Sequence, residues 1–115
     1  MSKILENAKK HFKDKLGTEL NKLNVSEWDC DVYYKNAYSF ATESKIIQLQ
    51  SKGDTVEALV ESIISKALTQ DGKPMFSRFD HTALMHETDP AVLIKIATVL
   101  NTATSEYKVE EVEKN

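Results

Sequence analysis

Apolar residues recur at helical spacing along most of this chain and alternate with polar residues in only one stretch. The clearest helical stripe lies in residues 54–68 and continues for about four turns. The alternating stretch is residues 28–34, where Trp28, Cys30, Val32 and Tyr34 share one face, the period expected of a half-buried strand. With a weaker first arm in residues 20–25, it predicts a β-hairpin. The pattern therefore predicts an α+β fold, mostly α-helical, with four to five helices and one N-terminal β-hairpin.

Residues typical of helix N-caps and C-caps mark where each predicted helix begins and ends. Gly17 ends a first helix that begins after Ser2, and a second helix is predicted from Ser39 or Thr42 to Ser51. Three further starts carry an aspartate that can accept the free amide protons of a first turn. They are Asp54, with Glu57 in a capping-box-like position; Asp80, before a short helix; and Asp89, followed by Pro90.

The 115 residues suffice for one domain with a modest core. We predict that residues 1–103 form it, because apolar content falls sharply afterwards. Residues 104–115 contain four Glu and few apolar residues, which predicts a frayed or flexible acidic tail. An isolated hairpin is marginal in water, so the hairpin must lean on the helices or on a neighbouring subunit.

Charge is distributed unevenly. Residues 1–24 carry a net charge of +3, whereas the whole chain carries −3, so the remainder carries −6. The basic residues 1–24 of one copy could attract the acidic remainder of another copy. The simpler alternative is that the charges form a solvated helix face. The net charge argues against nucleic acid as a partner, which needs clustered basic residues.

Cellular location is also constrained. Cys30 is the only cysteine, which excludes an intramolecular disulfide and favours a reducing cytoplasm. The sequence contains neither a signal-peptide pattern nor an apolar run long enough for a membrane span. We therefore expect no membrane association.

No constellation of residues predicts catalysis. His81 and His86 are five residues apart, so on a helix they would not face one metal ion, and Asp29 with Asp31 make only two of the ligands that a cation site needs. Cys30 has no partner cysteine and no cationic neighbour that would activate it. The three glycines stand alone, which excludes a phosphate-binding glycine loop. We predict no catalytic, cofactor or metal site.

Recognition by surface residues is the remaining interpretation. Five large aromatic residues lie on or beside the hairpin and the connectors, where a small domain cannot easily bury them all. They are the candidate protein-binding residues Trp28, Tyr33, Tyr34, Phe76 and Phe79. The alternative is that they complete a thin core.

The order of these motifs resembles one known family. Residues 26–28 (Ser-Glu-Trp) and 31–35 (Asp-Val-Tyr-Tyr-Lys) are similar to the hairpin of bacteriophage tail assembly chaperones. Residues 71–76 (Asp-Gly-Lys-Pro-Met-Phe) resemble the Asp-Gly-Lys-Pro-Leu-Phe connector of that family. Leu84 and then residues 89–91 (Asp-Pro-Ala) follow in the family's order.

The likeness covers residues 20–102, although the neutral residues 36–40 depart from the charged helix start of many relatives. It implies a non-catalytic protein of the bacterial host cytoplasm that is absent from the mature virion. Such a protein binds the tape measure protein, recruits tail tube protein and self-associates into oligomers or spirals.

Two alternatives belong to other classes. One is a small regulatory or antitoxin-like inhibitor subunit that covers a single protein partner. The other is an enzyme with a site formed by Asp80, His81 and Glu87.

Overall fold

The computed structural model describes the backbone of residues 2–114 and the side chains of residues 2–102. It confirms the predicted fold class, with five α-helices and one antiparallel hairpin in this part of the chain. In chain order the elements are α1 Ser2–Leu16, β1 Asn21–Val25, β2 Cys30–Tyr34, α2 Phe40–Ser51, α3 Thr55–Lys66, α4 His81–His86 and α5 Pro90–Lys114. The predicted flexible tail, residues 104–115, lies outside the residues with described side chains.

The hairpin pairs Asn21 with Tyr34 and Val25 with Cys30. A single turn of 3-10 helix, Ser26–Trp28, joins the strands, and Asp29 follows it with a positive φ of 53°. The prediction that Trp28 belongs to the alternating strand is therefore wrong. Asp29 is one of the few residue types that adopt the left-handed conformation readily, and this reversal interrupts the alternation before Cys30.

The segment after α3 pairs with the outer side of the hairpin. Tyr33 and Leu68 exchange two backbone hydrogen bonds, of 2.9 and 2.8 Å, and Leu68 also bridges to Pro74. The predicted stripe of residues 54–68 therefore overestimates α3 at its end. The helix ends at Lys66, and Ala67 is extended, because Leu68 is drawn into this pairing.

The core lies between the hairpin and helices α3, α4 and α5. Five of its apolar residues are completely buried: Val25, Val32, Ile63, Ile96 and Ala97. The two valines come from opposite strands of the hairpin, and the two isoleucines come from α3 and α5. The hairpin thus leans on the helices, as its marginal stability requires.

A buried lysine joins the helices at one corner of this core. Lys66 has no exposed surface, and its Nζ lies 2.9 Å from Glu43 Oε1 on α2 and 2.7 Å from Asn101 Oδ1 on α5. Its backbone carbonyl accepts a 2.9 Å hydrogen bond from the Tyr38 hydroxyl. Burial raises the pKa of Tyr38 to about 12. The corner is therefore held by a buried ammonium that is hydrogen-bonded to α2 and α5, and by a hydrogen bond from Tyr38 to the backbone of the same lysine.

Two of the predicted aspartate caps are not made by the side chain. Asp54 precedes α3, but its side chain makes no cap hydrogen bond. Asp80 precedes α4, and its carboxylate instead accepts from the backbone of Ser77, where a complete capping box forms. Asp89 does cap α5, because its Oδ1 accepts from Ala91 N at 3.0 Å.

Candidate protein-binding surfaces

Three of the five candidate aromatic residues pack against the core. Trp28 and Phe76 meet edge to face, with ring centroids 6.1 Å apart and an interplanar angle of 80°. Tyr34 also packs against the buried cluster, and all three are partly buried. Their main contacts are therefore those of a thin core, the alternative considered for these residues.

Tyr33 and Phe79 lie elsewhere. Tyr33 is partly buried and lines an open cleft of about 560 Å³ together with Leu20 and Gly72. Phe79 is 96% exposed, the largest exposed fraction among the large hydrophobic residues of the described part. The structure therefore separates Phe79 from the other four candidates.

The turn that carries Phe79 is fixed by its neighbours. Ser77 N donates to Asp80 Oδ2 at 2.8 Å, and Ser77 Oγ accepts from Phe79 N at 3.2 Å, so the capping box spans the exposed residue. Such a box satisfies amide groups that would otherwise need water. We name residues 77–81 the Phe79 knob.

Arg78 anchors the knob to α3. Its guanidinium forms a forked ion pair with Glu61, with Nη2 2.7 Å from Oε2. Glu61 is buried, and it also accepts from Ser65 Oγ at 2.6 Å. Burial alone would raise the pKa of Glu61, but the hydrogen bonds from Arg78 and Ser65 and the charges of Arg78 and Lys45 lower it overall. Glu61 is thus kept ionised and forms a charge-assisted pair with Arg78.

His81 makes a further contact to α3, because its Nε2 lies 2.8 Å from Glu57 Oε2. Asp80 and His81, proposed above with Glu87 for an enzyme site, thus have structural partners in the knob. Phe79 stands between two residues that are tied to the same helix. Because the backbone that carries the exposed ring is held in place, less conformational entropy is lost on binding, so the arrangement suits an anchor for a protein partner.

Helix α1 forms a second exposed surface. None of its 15 residues is buried, and Ile4 and Leu5 are 76% and 55% exposed. These two residues belong to an apolar stripe along one face, the α1 stripe, completed by Ala8, Phe12 and Leu16. The spacing of these apolar residues is a feature of the sequence, but spacing alone does not determine whether the stripe is covered.

The end of the α1 stripe meets the body of the domain. Phe12 and Leu16 line a cleft of about 230 Å³ with Ala37, Tyr38 and Leu68, and Lys35 lies at the same cleft. Asn36 Nδ2 donates to the carbonyl of Leu16 at 3.3 Å and ties α1 to the loop beside it. We name this feature the α1 cleft.

The residues considered for chemistry do not converge in the described part of the chain. No group of three His, Cys, Asp or Glu side chains there could hold a metal ion. Burial raises the pKa of the Cys30 thiol, and the nearby charges of Asp31 and Asp29 act in the same direction. Asp31 accepts a 2.9 Å hydrogen bond from Asn24 across the hairpin.

No helix within the described residues combines the length and apolar character needed to cross a bilayer.

Comparisons with known proteins add no relative: no family model matches the sequence, and neither curated proteins nor solved structures give a significant match.

Proposed function

We propose that this protein is a non-catalytic, protein-binding chaperone of bacteriophage tail assembly. In this role it binds the tape measure protein in the cytoplasm of the bacterial host, recruits tail tube protein, and is left out of the mature virion. The proposal joins the motif order of residues 20–102 to the exposed apolar surfaces described above.

One observation carries the proposal: α1 buries none of its residues although it has an apolar stripe. A helix of 15 residues is marginal in water by itself, and most helical stability in proteins comes from packing of the apolar face. A helix of this kind is suited to pack against an apolar face of another protein. A long, largely helical tape measure chain offers such faces along its length.

The mode of binding follows from the chemistry of α1. Its apolar residues recur at the spacing by which an amphipathic helix docks into a groove or against another helix. Five lysines against Glu6 and Asp14 give residues 2–16 a net charge of +3. These lysines would favour a partner whose apolar face is bordered by acidic residues.

The test is co-purification of the full chain with the tape measure protein encoded beside it in the phage genome. We expect the tape measure protein to be retained. The double variant Ile4→Ser with Leu5→Ser should weaken the affinity by at least about tenfold, because these two side chains are exposed in the free chain and would be buried in the complex. The matched control is Asn7→Ser with His11→Ser, two exposed α1 residues outside the α1 stripe. This control should bind as the native chain does.

Two outcomes would contradict the proposal. Retention by tail tube protein alone, with no binding to the tape measure protein, would remove its central partner. Formation of a one-to-one complex with a single unrelated protein, together with a gene neighbourhood that lacks tail genes, would favour the inhibitor alternative.

A further inference from the structure

We propose that copies of this chain join head to tail, with the Phe79 knob of one copy inserted into the α1 cleft of the next. This inference rests on the proposed function and identifies the contact by which the chaperone would form an array. It uses two features for which the described residues supply no occupant: a nearly fully exposed aromatic ring, and a cleft lined by apolar residues together with Lys35, Ser39, Thr42 and Ser65.

The two features match in size and character. A buried apolar cavity of about 150 Å³ accommodates benzene. The α1 cleft has a volume of about 230 Å³, which leaves room for a phenyl ring, and its walls include Phe12, Leu16 and Leu68. A ring that is 96% exposed in the single chain would become covered by these side chains.

The charges around the two features are opposite. Beside the α1 cleft, Lys35 contributes directly to the lining, and Lys9 and Lys13 precede Phe12 and Leu16 by three residues on α1, so they lie on neighbouring positions of the helix. Asp14 is the only acidic residue in the second half of α1.

Three carboxylates each contact a residue of the Phe79 knob: Asp80 contacts Ser77, Glu61 contacts Arg78, and Glu57 contacts His81. They outnumber the cations Arg78 and Lys45, both of which face Glu61. Across the chain, α1 has a net charge of +3 and the rest has −6, so a contact between the basic helix of one copy and the body of another is favoured over contacts between like surfaces.

The geometry of such a contact determines the type of assembly. The knob and the cleft are different surfaces, so each copy keeps one unused half of the interface after the first contact. Head-to-tail contacts of this kind produce rings or open chains, whereas a reciprocal pair, in which each knob enters the other copy's cleft, would stop at a two-fold dimer. Each contact buries little more than one aromatic side chain and its surroundings, so individual contacts are weak and an array gains from their number.

The experiment is sedimentation velocity on the full chain over a range of concentrations, without any partner protein. We expect the native chain to grow in size with concentration, and Phe79→Ala to weaken each contact by at least about tenfold, as for a central anchor residue. Ile94→Ala is the matched control, because Ile94 on α5 is another exposed large hydrophobic residue, 51% exposed, and belongs to neither the knob nor the lining of the cleft. It should associate as the native chain does.

Mixing two variants distinguishes this interface from a symmetric one. Phe79→Ala keeps its cleft, and Leu16→Glu keeps its knob while placing a carboxylate in the cleft. Each should remain monomeric alone, and together they should form a one-to-one dimer that grows no further. Lys35→Glu, at an exposed residue, is a second cleft variant and should weaken association by a few-fold.

Three results would overturn the inference: a native chain that stays monomeric at every concentration, a Phe79→Ala variant that associates normally, or a mixture that gives no dimer. None of them depends on the tape measure protein. Failure of the knob contact can therefore be distinguished from failure of the proposed function, which co-purification tests.

Discussion

Helices α1 and α3 have apolar stripes of similar spacing, but they differ in how much of the helix is buried. α3 buries seven of its 12 residues, including Val60, Ile63 and the charged Lys66. α1, with 15 residues, buries none. The periodicity of apolar residues thus identifies both as amphipathic helices but does not tell whether the apolar face is covered within the same chain.

The two helices differ in burial because they have different packing neighbours within the chain. α3 is surrounded by α2, α4 and α5, all from the same domain. In the part of the chain that the structure describes, the end of α1 meets the body, where Phe12 and Leu16 line the cleft and Asn36 bonds to Leu16. We infer that α3 is a structural element and that α1 is available to other proteins, and three substitution pairs compare the two helices directly.

The largest effect is expected at the buried lysine. Lys66→Ala removes the cation and leaves Glu43 and Asn101 in the core without it, which costs about 3–5 kcal/mol in the free energy of unfolding. Lys10→Ala, at an exposed lysine of α1, should stay within about 0.5 kcal/mol of the native chain. Urea denaturation of both variants measures the two free energies of unfolding. Equal losses of stability would contradict the distinction between a buried α3 and an exposed α1.

An isoleucine pair gives a similar contrast for apolar side chains. Ile63 is completely buried, so Ile63→Ala should lower the free energy of unfolding by about 2–5 kcal/mol through lost burial and a residual cavity. Ile4 is 76% exposed, and Ile4→Ala should change it by less than about 0.5 kcal/mol. A large loss for Ile4→Ala would mean that α1 is covered in solution.

The smallest effect concerns acid stability. The pKa of Glu61 is lower in the folded protein than in the unfolded chain, so its contribution to stability is present above the ordinary carboxyl pKa of about 4.3 and is lost as the pH falls through the lower folded value. Glu61→Gln should cost about 1 kcal/mol at pH 7 and reduce the acid sensitivity.

The control for this test is Glu6→Gln on α1, at an exposed carboxylate. Denaturation of both variants at pH 7 and pH 3 is the measurement. If Glu61→Gln retained the full acid sensitivity of the native chain, the ion pair with Arg78 would not be its source.

Local patterns predicted much of the fold. The helices, the hairpin and the Asp89 cap depend on interactions within a few residues, so periodicity and turn chemistry were enough to find them. The end of α3 was predicted wrongly because a distant segment decides it, whereas the errors at Trp28, Asp54 and Asp80 arose from local turn and cap geometry. Leu68 leaves the helical pattern because it pairs with Tyr33. No local pattern indicates the burial of Lys66 either, since its partners Glu43 and Asn101 lie 23 and 35 residues away.

The candidate surfaces were predictable only in part. All five aromatic residues were identified from composition and position, but the sequence could not tell that Trp28 would pack on Phe76, 48 residues further along. Nor could it tell that Phe79 would be the exposed one. Its exposure follows from the ion pair between Glu61 and Arg78. These residues are 17 apart in the sequence, and no local pattern indicates that they meet.

The pairing of Leu68 with Tyr33 and Pro74 also limits how this protein meets its neighbours. An open strand edge offers backbone amides and carbonyls that can template another chain and start uncontrolled aggregation. Here Leu68 occupies backbone groups of Tyr33 on the outer side of β2, and Pro74, which has no amide proton, lies beyond it. Pairing with other proteins by β-strand addition is thereby disfavoured at this edge, which leaves recognition through side chains.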